Sequence, residues 1–369
     1  MLPKQYLHSW VDIDTQAITK NIQFLADCAK KNGKDFMLMV KADAYGHGLV
    51  EVSQLAEQMD AVFLGVANLE DVMTLRREGI KTPVLLCTEP SPDNLPLLQK
   101  HSVVPVVGSL PFLKAVMSFN RKSTLGFHLK INSGLGRYGF SPEAMPEVLA
   151  ALGDTAPALQ GVLTHYSSAD NPQKTKQEFD RFWQAFELIQ NAGHTPRYIH
   201  ASNSAATAWF DESQTNLVRL GLSAYGLQPS DTKLLPLAPT LRWCTRLTSI
   251  SHAAKGDRAG YGGTWVAEQD SVIGVMSLGY SDGFRRTPRH QEYVLCGGKR
   301  LPIIGNVMMN HTILDLTDVH KELAVGDEIV VVGSQGSEQL TLEKVAEQLG
   351  TSNEEVVTTI SPHLPRFYI

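Results

Sequence analysis

Short runs of apolar, β-favouring residues recur along the first two-thirds of the chain, and stretches with helical spacing separate them. The eight runs are Phe36–Val40, Val62–Ala67, Pro83–Cys87, Val103–Val107, Phe127–Ile131, Ala158–His165, Arg197–His200 and Leu217–Leu222. The helical patterns include Thr15–Lys31, Gly48–Met59, Leu69–Glu78 and Lys174–Asn191. Eight alternating units in about 220 residues predict a parallel (β/α)8 barrel, which typically takes about 250. A doubly wound open sheet is the alternative, because periodicity does not show whether the sheet closes.

The alternation of strand-like and helical stretches ends near Pro236–Pro239. The alternating stretches that follow are Leu241–Ile250, Ser271–Leu278, Tyr293–Ile304, Val307–Leu316 and Glu328–Gly333. A clear helical pattern comes only at Leu342–Leu349, with a shorter one at Glu354–Thr358. The pattern predicts a barrel over residues 1–236 and a separate, mainly β domain over residues 237–369.

Composition narrows the class of protein. With 33 Lys and Arg against 38 Asp and Glu, the formal net charge is −5, which argues against binding to nucleic acid or to an anionic membrane surface. No apolar run approaches the ~18 residues of a membrane span, and the first ten residues lack a signal peptide's apolar stretch. Four scattered cysteines favour reduced thiols, so we expect a cytoplasmic protein.

The most unusual stretch, from Lys41 to Gly48 (KADAYGHG), follows the first barrel run. A lysine directly after a buried strand would hold its amine at the barrel mouth near apolar surroundings. Desolvation lowers the pKa of an amine, and an unprotonated lysine can form a Schiff base.

This stretch resembles the pyridoxal 5′-phosphate (PLP) lysine signature of alanine racemases, a family with a barrel followed by a β domain. The resemblance runs along nearly the whole chain, from Val11-Asp12-Ile13-Asp14 to Pro365-Arg366. It implies that Lys41 carries PLP as a Schiff base and that Tyr45 hydrogen-bonds the cofactor phosphate.

Functional residues of a barrel cluster where strands end at the C-terminal face, and phosphate sites often follow strands seven and eight. The residues that match the family and fall at such positions are Lys130, Arg137, His165, Asn203, Ser204, Arg219, Gly221 and Leu222. The family places Arg219 against the pyridine nitrogen of PLP and His165 on its ring. A guanidinium donates to that nitrogen without readily protonating it, which suits reprotonation of a carbanion.

Racemisation needs proton carriers on both faces of a planar carbanion. Lys41 supplies one, and the resemblance assigns the other to Tyr261 of a partner subunit in a head-to-tail homodimer. It also implies that Arg137, with His165 behind it, tunes this tyrosine. From the same domain, Met309 would hold the substrate carboxylate through its N–H and Tyr280 would line the entrance. Lys130 matches a lysine that is often carbamylated in relatives.

The expected function is therefore interconversion of L- and D-alanine for cell-wall precursors. Asn306, Asn310 and Pro362 stand where Arg, Asp and, in some members, Tyr are usual, which leaves a racemase of serine, lysine or broader specificity open. A non-catalytic PLP carrier is a further alternative, although such a carrier needs no second base. A PLP decarboxylase is disfavoured by Arg219.

Overall fold

The computed structural model describes residues 2–153, 158–210, 213–230, 232–286 and 292–369. The first strand, β1 (Ser9–Ile13), lies outside the barrel. The next eight strands are β2 (Asp35–Met39), β3 (Leu64–Val66), β4 (Val84–Leu86), β5 (Val103–Val107), β6 (Phe127–Lys130), β7 (Leu159–Leu163), β8 (Tyr198–His200) and β9 (Leu217–Leu220).

These eight strands form one parallel sheet in which β9 pairs with β2. At the remaining seam, between β8 and β9, Asn216 N–H donates to Ile199 O and Arg219 N–H donates to Ser202 O, both at 3.0 Å. The sheet is therefore a nearly closed barrel. The predicted barrel is confirmed, and the open doubly wound sheet is wrong.

The helices of the described residues are α1 (Thr15–Lys30), α2 (Lys41–Gly46), α3 (Leu49–Gln58), α4 (Leu69–Arg77), α5 (Leu95–Lys100), α6 (Leu110–Phe119), α7 (Met145–Leu152), α8 (Pro172–Asn191), α9 (Ser204–Trp209), α10 (Leu342–Leu349) and α11 (Asn353–Thr359). Their local signals are clear in α1, where Asp14 accepts from the Ala17 N–H at 2.8 Å and so caps the helix. Its apolar face, with Ile18, Ile22 and Leu25, is fully buried. Apolar faces of this kind hold the helices against the barrel.

The second domain is mainly β, as predicted. Its further strands are β10 (Leu241–Ala253), β11 (Arg258–Ala259), β12 (Trp265–Val266), β13 (Ser271–Met276), β14 (Tyr293–Cys296), β15 (Lys299–Ile304), β16 (Thr312–Asp315), β17 (Glu328–Gln335), β18 (Glu338–Leu340) and β19 (Arg366–Tyr368). Six of them close an antiparallel ring in the order β10, β13, β16, β15, β14 and β17. The predicted run Val307–Leu316 is shorter in the structure because a turn, closed by Met308 N–H and His311 O at 2.9 Å, precedes β16.

The N-terminus belongs to this second sheet, since β1 pairs with β10 and, in parallel, with β19. The chain thus crosses from the β domain into the barrel and back, which ties the two together. No helix among the described residues combines the length and apolar character needed to cross a bilayer.

Candidate active site

One cavity of about 1,810 Å³ opens at the C-terminal ends of the barrel strands. It is lined by every barrel residue that the sequence predicted to be functional: Lys41, Tyr45, Lys130, Arg137, His165, Asn203, Ser204, Arg219, Gly221 and Leu222. They come from the ends of five strands, β2, β6, β7, β8 and β9. The barrel brings them together because its parallel strands end at one face.

Lys41 begins α2, which is a single left-handed turn and not an ordinary right-handed α-helix. Residues 42–45 all have left-handed dihedral angles, with φ between +51° and +54°, and none of them is glycine. Each such residue costs about 1–2 kcal/mol, so the surroundings must hold the turn in place. The turn places the Lys41 Nζ 5.8 Å from the centre of the Tyr45 ring.

Several contacts fix this turn. Asp43 Oδ1 accepts from the Leu49 N–H at 2.8 Å, and Gly48 N–H donates to Asp43 O at 2.9 Å. The ring of Tyr45 stacks on Tyr225 with centres 4.8 Å apart. His47 is fully buried with its Nε2 2.8 Å from Thr240 Oγ1, and burial lowers its pKa to about 4.

Hydroxyl and backbone groups converge beside Tyr45. Ser204 Oγ accepts from the Gly221 N–H at 2.9 Å, which leaves the hydroxyl proton of Ser204 free to donate to a ligand. A Cβ on Gly221 would lie 3.0 Å from Tyr45 Oη, so a side chain at position 221 would fill this corner. Burial raises the pKa of Tyr45, which keeps its phenol a hydrogen-bond donor. The donor set suits a phosphate group.

Arg219 is the centre of a buried polar network. Its Nη2 donates to Thr164 O at 2.7 Å and to Ala201 O at 2.6 Å, and it lies 3.1 Å from His165 Nδ1. Its Nη1 donates to His200 O and lies near His200 Nδ1, both at 3.0 Å. Burial and then the charge of Arg219 hold the pKa of His165 and of His200 well below the usual range, so both rings are neutral.

The network continues into the barrel interior. His200 Nε2 lies 2.9 Å from His128 Nδ1, and burial lowers the pKa of His128 to about 3. Because Arg219 is always a donor, His200 Nδ1 accepts, and the proton of His200 is on Nε2. Neither histidine was among the residues predicted from the sequence. The available signal was a polar residue inside an apolar run, with His128 two positions from Lys130 and hence on the same face of β6.

Lys130 is buried, and its Nζ lies 3.7 Å from the ring centre of Tyr138. The Tyr138 hydroxyl donates to Cys87 O, and both residues line the cavity, although neither was singled out from the sequence. Burial, followed by the charges of Arg137 and Arg219, lowers the pKa of Lys130 to about 7. A substantial fraction of this amine is therefore neutral near pH 7.

The predicted residues of the β domain lie elsewhere. Tyr261, Tyr280 and Met309 are 71%, 44% and 56% exposed, and none lines the barrel cavity. We call them the exposed triad. Local contacts join the segments that carry them. Tyr280 N–H donates to Met308 O, and Ser281 N–H donates to Met309 O, both at 3.0 Å.

The unusual residues near the triad have structural partners. Asn306 Nδ2 donates to Tyr261 O at 2.9 Å, and Asn310 Nδ2 donates to Ser281 Oγ at 2.7 Å. Both asparagines thus support the loops of the exposed triad. Pro362 is exposed and does not line the barrel cavity.

Two family models match almost the whole chain: the alanine racemase N-terminal domain over residues 13–229 and the C-terminal domain over residues 240–368. The chain belongs to the alanine racemase family. The resemblance stated from the Lys41 signature is confirmed.

Similar proteins agree with that assignment. The alanine racemase of Geobacillus kaustophilus is 35% identical, with 98% of this chain and 94% of the relative covered. That of Desulforamulus reducens is also 35% identical, with 98% of both chains covered. A crystal structure of the Bacillus anthracis alanine racemase with bound L-Ala-P superposes with a TM-score of 0.90 at 31% identity, over 100% of this chain and 96% of that one. The crystal structure of the E. faecalis alanine racemase superposes with a TM-score of 0.90 at 33% identity, over 100% of both chains.

These alanine racemases match both domains, the barrel and the β domain that carries the exposed triad. The chain is accordingly an isomerase, and its reaction is the racemisation of alanine. A carrier without catalysis does not fit this family assignment.

Proposed function

We propose that the racemisation of alanine by this chain uses PLP bound at the barrel mouth, and that a homodimer completes each site. The observation that carries the proposal is the convergence of Lys41, the Arg219 guanidinium and the donors around Gly221 in one cavity. Each of these matches a different part of the cofactor.

The residues fit PLP from end to end. Tyr45, Ser204 and the backbone at Gly221 and Leu222 would hold the phosphate, with Asn203 beside them as the cap of α9, where it accepts from the Ala206 N–H at 3.0 Å. Lys41 would hold the cofactor covalently through its Nζ. Arg219 would face the ring nitrogen, and His165 the ring.

When bound, PLP withdraws electrons from the α-carbon of an attached amino acid and makes the α-proton removable. Arg219 tunes this withdrawal. Three acceptor carbonyls and two neutral imidazoles surround its guanidinium, so it retains its proton while donating to the ring nitrogen. The electron sink is then weaker than with an acidic partner at that nitrogen, which favours simple return of a proton.

Two groups would carry the proton. Once the amine of the substrate has displaced Lys41 from the cofactor, the freed Lys41 Nζ would take up and return the proton on the D side of the α-carbon. Oη of the partner subunit's Tyr261 would do so on the L side. Opposite faces are required because a single base tends to return the proton to the face it came from. Arg137 is exposed at the cavity wall, where its charge would stabilise the phenolate form of the incoming tyrosine, with His165 behind it.

The position of the exposed triad supports the dimer. Tyr261 does not line the cavity of its own chain, and large side chains exposed together are typical of interaction surfaces. Within the part of the chain that is described, nothing accepts a hydrogen bond from the Met309 N–H, which could hold a substrate carboxylate. Tyr280 would line the entrance of the same partner site.

Lys130 is proposed to be carbamylated. A neutral amine attacks CO2 to form an N–C bond and releases one proton to solvent, which leaves an anionic carbamate; the pKa near 7 provides the neutral amine. Carbamylation replaces the positive charge of Lys130 with a negative one close to Arg137 and Arg219. This removes the repulsion between Lys130 and the two arginines and would orient Arg137. Mass spectrometry of the native protein should show one added CO2 that is lost in Lys130→Met.

The biological role is proposed as supply of D-alanine for cell-wall precursors in the cytoplasm. Cys28, Cys87, Cys244 and Cys296 are free thiols, which suits a reducing compartment. Growth of a D-alanine auxotroph expressing the chain, with fractionation of the same cells, tests both statements.

Borohydride reduction, which makes a cofactor–lysine bond permanent, is the central experiment. After reduction with PLP present, peptide mapping should find the pyridoxyl group on Lys41. A label on any other lysine would refute the assignment. Chiral chromatography over a panel of L-amino acids tests substrate breadth, and alanine should turn over far faster than serine or lysine.

A further inference from the structure

The C-terminal strand of the β domain contacts the left-handed turn that carries Lys41. Arg366, on β19, is 9% exposed, and its Nε donates a 2.7 Å hydrogen bond to Gly46 O. The same Nε lies 3.8 Å from Asp43 Oδ2. One guanidinium therefore faces both the last carbonyl of the turn and the carboxylate in its middle.

The turn fits closely against this part of the β domain. A Cβ on Gly46, whose φ is +78°, would lie 2.4 Å from Val357 O in α11. A Cβ on Gly48 would lie 1.9 Å from Tyr368 Oη on β19. The turn thus has no room to shift toward α11 or β19, and glycine is required at both points.

Arg366 is itself held in position. It pairs with Val11 in the parallel β1–β19 ladder, and its Nη1 donates to Leu364 O at 3.2 Å and to Ser361 O at 3.4 Å. The side chain is therefore fixed by its own segment before it contacts the turn. The carbonyl of Gly46, at the end of the strained turn, therefore accepts a hydrogen bond from a charged donor, which is stronger than one from a neutral donor.

We propose that Arg366 is a positioning residue for Lys41: it holds the left-handed turn and thereby sets where the Lys41 Nζ lies. This rests on the proposed role of Lys41. Residues 42–45 keep their strained dihedral angles only while the surroundings enforce them. Without Arg366 the turn would relax, and a displacement of the amine by about 1 Å can cost about 100-fold in rate.

Arg366→Gln removes the charged guanidinium. Arg366→Lys keeps the positive charge but places all its N–H donors on one nitrogen. Gly46→Ala disturbs the same contact by changing the residue of the turn whose carbonyl accepts from Arg366. Arg242→Gln is the matched control, because Arg242 is an arginine of the same sheet that pairs with Glu328 and Asp12, away from the turn. Thermal unfolding of all four variants distinguishes a protein that has lost its fold from one in which only Lys41 is displaced.

The first measurement is hydrogen exchange of a peptide covering residues 40–49, with and without PLP. The N–H groups of Ala44, His47 and Gly48 form the internal bonds of the turn, and they should exchange at least about tenfold faster in Arg366→Gln and Gly46→Ala. Arg366→Lys should be intermediate, and Arg242→Gln should match the wild type.

The second measurement is the rate of borohydride labelling at Lys41, together with kcat and KM. Arg366→Gln should label more slowly and lose about 10- to 100-fold in kcat/KM, mostly through kcat. Partial rescue by Arg366→Lys is expected, and a role in folding alone would not give this pattern.

Wild-type exchange and labelling in a folded Arg366→Gln would overturn the proposal. If that variant does not fold, wild-type exchange and labelling in a folded Arg366→Lys would overturn it. If borohydride reduction of the wild-type protein labels a different lysine, the proposed function is refuted instead. Hydrogen exchange in the turn would still report whether Arg366 holds it.

Discussion

The two halves of the proposed site differ in how they are built. At the barrel mouth, Lys130 and Arg219 are buried, and Arg219 already makes its hydrogen bonds within one chain. The exposed triad, in contrast, faces solvent on loops of the β domain. Folding alone completes the first half, whereas the second needs another molecule.

The two halves therefore differ in what sets the environment of their side chains: the fold of one chain for the barrel residues, and dimer assembly for the exposed triad. In the barrel, burial and neighbouring cations set the protonation of Lys130, His165 and His200 before any ligand arrives. Such a fixed environment needs little reorganisation during reaction. For the triad, the environment comes only with the partner, so the activity should depend on the concentration of dimer.

The largest expected effect comes from removing the amine of the barrel half. Lys41→Ala should lower kcat/KM by about 10⁴-fold, because both the cofactor bond and one proton carrier are lost. D-alanine formation, followed by chiral chromatography, measures it. Lys176→Ala, which removes a surface lysine paired with Asp180 on α8, is the control and should leave the rate unchanged.

The next effect tests whether the triad acts across subunits. Tyr261→Phe should lower the rate by about 10²- to 10³-fold, since one face loses its proton carrier. Mixing it with Lys41→Ala under conditions of subunit exchange gives heterodimers with one intact site each. About a quarter of the wild-type activity should return. No recovery, despite proven heterodimers, would contradict the shared site.

Local sequence signals predicted the barrel half well. The run Val103–Val107 is a strand with those bounds, and Leu217–Leu222 differs from β9 only at its end. Apolar periodicity is a local property, and strand ends at one face follow from the topology. For this reason the residues predicted from strand ends, ten in all, line one cavity.

Non-local features were not predictable in the same way. Nothing in Ala42, Asp43 or Ala44 indicates four left-handed residues, because contacts from distant segments impose that conformation. The strand β1 was missed because its partners, β10 and β19, lie more than 200 residues along the chain. The position of the exposed triad relative to a partner is a property of the assembly and stays a prediction.

The charge inside the barrel mouth gives a pH-dependent prediction. Lys130 has a pKa of about 7 in the fold, below its ordinary 10.5, so between these values the unfolded chain binds more protons. Its contribution should make the protein more stable as the pH rises through this window, by up to about 1.4 kcal/mol per pH unit. Below pH 7 that contribution is constant. Urea unfolding in bicarbonate-free buffer should show a flatter pH dependence for Lys130→Met, and parallel curves for the two proteins would contradict the depressed pKa.

The smallest expected effect returns to the exposed triad. If Met309 acts through its backbone N–H, replacing the exposed side chain should matter little, and both Met309→Leu and Met309→Ala should keep kcat/KM within about two- to threefold. Met309→Pro removes the N–H and should raise KM for alanine far more than either. Because Met309 O accepts from the Ser281 N–H and hydroxyl, circular dichroism and thermal unfolding must show that the proline variant keeps the loop. A large loss in Met309→Ala with an intact fold would place the contact in the side chain and contradict the backbone assignment.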